Sequence, residues 1–264
     1  MKKIGIIDYF LNNYHAVNYP RWISEYSEGR LQVRCAYASS DCVDGGISNK
    51  AWSDKYGIPL LPTPEDVIAQ SDYIMVLSPS HPHKHEELSQ SALKSGKRVY
   101  VDKAFASDLE TAKRMFALAD KFGTRCCSSS SLAFVSAYKA IDRQRAKTIS
   151  SKGGGSFEVY AIHQFEPVLN LMGSRPVKVM SVGDELYPAF VIEFADGRIA
   201  RTEQFNSAAF GMYVGYSDGS STFVQAEKEI FKGFILRVIE FFETGRLVAE
   251  HWQTLANISG NSLA

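Results

Sequence analysis

Lys103 follows a short apolar run, Arg98 to Val101, in the segment Asp102-Lys103-Ala104-Phe105. A lysine after a strand is ordinarily a solvated surface residue. At the carboxyl end of a parallel strand, however, it stands where open α/β sheets bind their ligands, as a cation with hydrogen-bond donors only. Upstream, His81, His83 and His85 alternate, and on an extended segment they would share one face, as metal ligands do. Pro79 and Pro82 break any strand there and no obvious carboxylate or cysteine completes a ligand set, so no metal is expected. Farther on, His163 supplies an imidazole whose ordinary pKa of about 6.5 suits proton transfer near neutral pH. The four cysteines make no Cys-x-x-Cys spacing, Cys126 and Cys127 are adjacent, and all four read as reduced core thiols.

These residues need a scaffold. In the first half, Lys3 to Ile7, Leu31 to Tyr37, Asp72 to Leu77, Arg98 to Val101 and Arg125 to Cys127 are short apolar runs separated by helical patterns. Thr63-Pro64-Glu65-Asp66 is an N-cap followed by proline at the first helical position, Lys84 to Ser95 is a helix ending at Gly96, and Ser107-Asp108-Leu109-Glu110 is a capping box whose helix closes at Gly123. Strands alternating with helices predict an N-terminal doubly wound parallel sheet, Rossmann-like in kind. Pro20 fits the first turn of a helix better than its interior, so Asp8 to Tyr19 reads as a long loop. Tyr9, Phe10, Tyr14, Tyr19 and Trp22 form an aromatic group suited to packing.

In the second half, Val177 to Val182, Ala189 to Phe194, Arg198 to Phe205, Phe210 to Tyr216 and Ser220 to Gln225 follow one another closely, with Asp196-Gly197 and Asp218-Gly219 as hairpin turns. This predicts an α+β domain with a largely antiparallel sheet, helices at His163 to Met172 and Glu229 to Phe242, and a mobile loop over Ser150 to Ser156 containing Gly153-Gly154-Gly155. The boundary falls in the serine run at 128–131, which gives domains 1–128 and 129–264. Alternating apolar residues such as Phe210, Met212 and Val214 predict a face that needs covering, hence a homo-oligomer joined through this C-terminal sheet.

Over 264 residues, 29 Lys+Arg balance 29 Asp+Glu, so no global field attracts nucleic acid or an anionic membrane, and a small-molecule substrate is expected. No apolar run approaches the roughly 20 residues of a spanning helix, and Met1-Lys2-Lys3 is followed by too few apolar residues for a signal peptide. The expected location is cytoplasmic.

The run Val76-Leu77-Ser78-Pro79, His85, Gly96-Lys97 and Asp102-Lys103-Ala104 resembles the Gfo/Idh/MocA oxidoreductases, the family of glucose-fructose oxidoreductase and inositol dehydrogenase. There a threonine-proline turn, a histidine eleven residues before glycine-lysine, and Glu-Lys-Pro occur in this order. Tyr160-Ala161-Ile162-His163-Gln164-Phe165-Glu166, ending in Leu171-Met172-Gly173, resembles the family's histidine-bearing helix. Three positions depart from the pattern. Asp8-Tyr9-Phe10-Leu11-Asn12-Asn13 replaces Gly-x-Gly-x-x-Gly, Ala104 replaces the proline, and Val159 stands where the family has an acidic partner for the histidine, a role for which Glu158 and Glu166 are candidates.

The resemblance implies hydride transfer between NAD or NADP and a carbinol carbon of a sugar, cyclitol or related polyol. It implies that Lys103 and His163 are catalytic, Lys103 on the reacting oxygen and His163 as acid or base, and that Tyr160 and Gln164 join them at the substrate. Phe10, Leu11, Asn12, Asn13, Ser39, Ser40, Ser78, Pro79, His85, Asp102 and Lys103 would line the cofactor. Ser39 and Ser40 suit a 2′-phosphate and Asp41 a ribose, which leaves NAD and NADP both open. Two alternatives remain, a non-catalytic binding or regulatory protein that has lost its cofactor, and a lyase or isomerase that recycles a tightly held nicotinamide.

Overall fold

The computed structural model describes residues 1–41, 45–226 and 229–261, which divide into two compact units, 1–129 with 235–251 and 130–234 with the chain from Trp252 onward. In the first unit the elements are β1 (Lys2–Asp8), α1 (Tyr14–Tyr26), β2 (Leu31–Ala38), α2 (Asn49–Tyr56), α3 (Pro64–Gln70), β3 (Tyr73–Val76), α4 (His85–Leu93), β4 (Arg98–Val101), α5 (Leu109–Lys121) and β5 (Cys126–Cys127). The five strands pair in parallel in the order β2-β1-β3-β4-β5. The strand order therefore reverses between β1 and β3, and a crevice at their carboxyl ends is where such a sheet accepts ligands.

The predicted Thr63 cap is present, with Oγ1 accepting the Asp66 N–H and Pro64 at the first helical position. The capping box shifts by one residue, since Asp108 rather than Ser107 is the N-cap and accepts the Thr111 N–H at 2.8 Å. The long loop expected up to Tyr19 is a helix from Tyr14, with Pro20 in its interior. Asn13 starts that helix by accepting the His15 and Ala16 N–H groups. Burial of His15, Ala16, Tyr19 and Ile23 along one face outweighs the hydrogen bond that the proline removes, a loss worth about 3 kcal/mol.

The second unit holds β6 (Ala146–Gly153), α6 (Phe157–Tyr160), α7 (Ile162–Met172), β7 (Pro176–Ser181), β8 (Ala189–Phe194), β9 (Ile199–Gln204), β10 (Gly211–Tyr216) and β11 (Ser221–Gln225). Its sheet runs β11-β10-β6-β9-β8-β7, antiparallel at every pairing except β6 with β9. The predicted loop over Ser150 to Ser156 is corrected here, because Ser150 to Gly153 end an inner strand. Ile149 and Ser151 of that strand are buried, and a Cβ at Gly153 would come within 2.4 Å of the Phe210 ring. A Cβ at Gly154 would meet the Ala208 carbonyl oxygen at 2.4 Å, and Gly155 has a φ of +89° beneath the Tyr160 ring. Close approach, rather than looseness, explains the glycine run.

Met212 and Val214 are fully buried in a core that includes Phe165 and Val168 of α7 with Phe190 and Ile192 of β8. The face expected to need a partner is thus already covered. The opposite face mixes exposed Ile199, Tyr213 and Phe223 with Arg201 and Glu203.

Two helices follow, α8 (Phe231–Thr244) and α9 (His251–Asn261). Residues 235–251 return to the first unit, where Phe242 stacks on Tyr73 at 5.1 Å between ring centroids and His251 stacks on Phe116 at 4.0 Å. Among the described residues no helix is long and apolar enough to cross a membrane.

Candidate functional site

In the first unit, β1 ends in Asp8, whose carboxyl group is fully buried. One of its oxygens accepts the Tyr9 N–H at 2.7 Å and the other accepts the Asn13 side-chain amide at 2.9 Å. Burial pushes this carboxyl up to about 8, against the opposing pull of those two hydrogen bonds. Leu11 N–H donates to Asn49 Oδ1 at 2.9 Å, and the Asn13 side-chain oxygen takes the His15 and Ala16 N–H groups at 3.0 Å each. The loop after β2 is joined to the same turn, with the Ser39 N–H on Asp8 O at 3.1 Å, the Ser40 N–H on Tyr9 O at 2.8 Å and the Asn49 N–H on Asp41 Oδ1 at 2.6 Å.

Above the turn, Tyr9, Phe10 and His81 form a ring cluster with centroids 5.3 to 5.7 Å apart. The crevice at the β1/β3 reversal, lined by Asp8, Phe10, Asn13, Ser78, Pro79, Ser80 and His81, holds a cavity of about 10 Å³. That is space for about one water molecule.

The resemblance calls here for a dinucleotide pyrophosphate, and the turn does not fit one. A phosphate at a helix N-terminus needs free N–H groups and close backbone approach. Here the chain's own Asp8, Asn13 and Asn49 oxygens take the N–H groups, and Phe10 stands where a glycine would open the approach. The four residues Phe10 to Asn13 thus form a closed turn.

The end of β4 is built differently. Asp102 is fully buried, with Oδ2 2.5 Å from His15 Nδ1 and Oδ1 accepting the Lys103 N–H at 2.8 Å. Burial alone would raise the Asp102 carboxyl, but His15 and then Lys103 beside it hold it below the usual carboxylate range. Lys103 Nζ donates to Pro79 O at 3.2 Å, and burial lowers its pKa while Asp102 opposes the change. Pro79 follows Ser78, a buried residue at φ +103°, a strained backbone of the kind that collects at functional sites.

His85 is buried, and its Nδ1 donates to Ala104 O at 2.8 Å and Phe105 O at 3.2 Å, while burial lowers its pKa. It therefore fixes the backbone just beyond Lys103, across a Lys103–Ala104 peptide that is cis. His81 and His83 meet edge to face at 5.7 Å while His85 turns to these carbonyls, and no three metal-ligating side chains gather among the described residues.

In the second unit α7 carries His163, Gln164 and Glu166, all buried. His163 Nδ1 lies 2.6 Å from Ser130 Oγ, and its ring neighbours Tyr160 at 5.6 Å and Phe210 at 5.8 Å. Glu166 Oε2 accepts the Ser130 N–H at 2.6 Å, so it holds the backbone of the serine that meets the histidine. The side chain of Glu158, the other acidic candidate, lies outside the described residues. Gln164 Nε2 donates to Glu203 O at 3.1 Å and to Gln204 Oε1, and Gln204 Nε2 in turn holds Gly154 O at 2.6 Å and Gly155 O at 2.8 Å. Gln164 thereby steadies the glycine run. Tyr160 is 41% exposed. A cavity of about 710 Å³ opens at the ends of β6, β8 and β9, lined by Gly155, Ser156, Phe157, Asp184, Gln204 and Asn206 among others.

Sequence reasoning missed Ser130, His15 and Asn49. Ser130 lies in a serine run that reads as linker, and the partners of His15 and Asn49 are distant in sequence, so spacing carried no signal of them.

Residues 39–130 match the oxidoreductase family with an NAD-binding Rossmann fold, Gfo/Idh/MocA. That stretch is similar to a Gfo/Idh/MocA domain. The match contains Ser78, Pro79, His85, Asp102 and Lys103, and it begins after the closed β1–α1 turn. No curated protein sequence matches the chain.

Solved structures of similar fold include UDP-N-acetylglucosamine 3-dehydrogenase GnnA from Acidithiobacillus ferrooxidans, 11% identical with a TM-score of 0.79 over 99% of this chain and 95% of that one. A putative myo-inositol dehydrogenase from Sinorhizobium meliloti 1021 is 13% identical with a TM-score of 0.76 over 100% and 96%. GenD2 from gentamicin A biosynthesis, solved in complex with NAD, is 14% identical with a TM-score of 0.76 over 100% and 93%. The Gfo/Idh/MocA resemblance and the expected order of a parallel sheet followed by a largely antiparallel one therefore hold.

Proposed function

We propose that the chain is an oxidoreductase acting at a carbinol carbon of a sugar, cyclitol or related polyol, with NAD or NADP, the cofactor class of the matched family, as the redox partner despite the closed β1–α1 turn. The observation that carries the reading is Lys103, held at the carboxyl end of β4 by the Asp102 carboxylate, the Pro79 carbonyl and the His85-anchored backbone, inside the matched stretch. Lys103 hydrogen-bonds the substrate oxygen and stabilises the negative charge that develops on it. His163 gives or takes the hydroxyl proton. Tyr160 and Gln164 are the neighbouring residues offered to the substrate, and the open face of the second sheet is the surface offered for association of copies. Sedimentation at micromolar concentration tests that association, and a monomer of 29.4 kDa overturns it.

The closed turn favours a second reading, a binding or regulatory protein of the same fold that no longer holds a dinucleotide. Two measurements separate the readings. Titration with NADH and NADPH, followed by fluorescence, reports whether either binds, and a screen of polyols for reduction of NAD or NADP reports turnover. Reduction with any polyol supports the oxidoreductase. Absence of both binding and reduction leaves the second reading standing.

A further inference from the structure

The five-stranded sheet ends at β2, and an edge strand keeps outward backbone groups that no further strand takes. In β2 they can be followed residue by residue. Arg30 O faces β1, accepting the Lys2 N–H at 2.7 Å, whereas Leu31 faces outward, its N–H donating to Ser27 Oγ at 3.1 Å and its C=O accepting from that hydroxyl at 3.2 Å. Farther along, Ala36 also faces outward, with its N–H on Pro59 O at 2.9 Å and its C=O taking the Leu61 N–H at 2.8 Å. Alternate residues of a strand face opposite edges, so Val33 turns its N–H and C=O outward as Leu31 does. The outward positions pass from odd to even at a bulge, since Ile4 pairs with Val33 and Gly5 with Cys35, which leaves Arg34 without an opposite residue. Bulges re-aim a side chain, and between parallel strands they are rare.

A cavity of about 510 Å³ lies against this edge, lined by Arg21 and Ser24 of α1, Val33 and Arg34 of β2, and Tyr56 and Ile58 at the end of α2, among others. That volume is ordinary for a small-molecule site. Its charge is uncompensated, because among the described residues no carboxylate lines it, Arg21 meets no acceptor and Arg34 meets only Gln32 Oε1, at a long 3.4 Å. Arg114, by contrast, is held by both oxygens of Glu86 at 2.8 Å. We propose that this cavity binds the phosphate monoester of a small molecule, through the Arg21 and Arg34 guanidinium groups and the outward Val33 N–H. Guanidinium groups match phosphate oxygens in paired hydrogen bonds, and a phosphate presents three terminal oxygens to these three donor groups where a carboxylate presents two. The proposal stands apart from the oxidoreductase reading, since it uses neither Lys103 nor His163.

The test is calorimetric titration of the full chain at low ionic strength with inorganic phosphate, glucose 6-phosphate and succinate. Both phosphates should bind, and succinate should bind at least several-fold more weakly than either. Arg21→Gln and Arg34→Gln should each weaken glucose 6-phosphate by about tenfold or more, the scale of a hydrogen bond to a charged group, while Arg143→Gln, at an exposed arginine of the second unit, should leave it unchanged. Arg21 and Arg34 are exposed, so neither substitution disturbs the core. In ¹⁵N-labelled protein the Val33 amide signal should move on addition of inorganic phosphate. Absence of binding by both phosphates overturns the proposal, and so does binding that survives both arginine substitutions, as it would if the sugar phosphate entered by the Lys103 end of the sheet. An equal loss in Arg143→Gln, which marks a diffuse effect of charge, overturns it as well. Succinate binding as tightly as the phosphates overturns the ligand class, and a Val33 signal that does not move overturns the placement at the β2 edge.

Discussion

The Asn13 side chain joins the Asp8 carboxyl group to the start of helix α1, donating to Asp8 Oδ2 at 2.9 Å while its own oxygen takes the His15 and Ala16 N–H groups. The turn is folded around this buried side chain in the place where a nucleotide-binding turn is folded around a phosphate. Replacing Asp8 with Gly removes the carboxyl group and opens the backbone. Calorimetric titration with NADH should then show at least several-fold tighter binding than in the unaltered protein. Equal or weaker binding would count against this placement of the carboxyl group.

Asp8 also makes stability depend on pH in an uncommon direction. Its pKa is about 8 in the folded chain against roughly 3.9 unfolded, so its contribution is complete below pH 4 and is lost as pH rises toward 8. The slope from this one group is about 1.4 kcal/mol per pH unit. Asp8→Asn should flatten the fall in Tm between pH 5 and pH 8, even though it loses the bond from Asn13 and starts from a lower value. An equal slope in both proteins would refute the assignment.

Asp102 behaves oppositely, being held below its unfolded value, so its contribution is present above about pH 4 and disappears on acidification. His15→Leu leaves that fully buried carboxylate without its main partner. Urea unfolding at neutral pH should show a loss of about 3–5 kcal/mol, the scale for breaking one side of a buried pair. A loss below about 1 kcal/mol would mean that the pair contributes little.

Once a substrate is found, Lys103→Ala should lower turnover by about 10²–10³, the scale for removing a donor to a charged oxygen. His163→Ala should lower it by about 10²–10⁴ as a lost acid or base. Activity surviving both substitutions nearly intact would remove these residues from the chemistry while leaving the fold unaffected.

Local signals were legible where a single residue decides the local structure. Thr63 and Pro64 start a helix wherever they occur in that order, and Gly197 and Gly219, at φ +79° and +84°, mark their hairpins. Strand β6 was not legible. Lys147, Thr148, Ser150, Ser151 and Lys152 carry too little apolar alternation, and the strand exists because β9 and β10 pair on either side of it. The turn at Asp8 was visible as a missing glycine pattern, yet its closure was not, since Asn49 lies 38 residues from Leu11. Lys103 and His163 could be singled out by resemblance. Their supports could not, because His15 stands 87 residues from Asp102 and Ser130 stands 33 from His163.

The return of residues 235–251 to the first unit has a consequence for how the chain is made. The five-stranded sheet leaves the ribosome early, yet Tyr73 waits for Phe242, and Phe116 for His251, until all of 130–234 has been synthesised. During that interval the nascent sheet exposes apolar surface that only the last part of the chain will cover. A fragment ending at Ser129 would keep that surface permanently uncovered and should be prone to aggregate, although it contains every strand of its sheet.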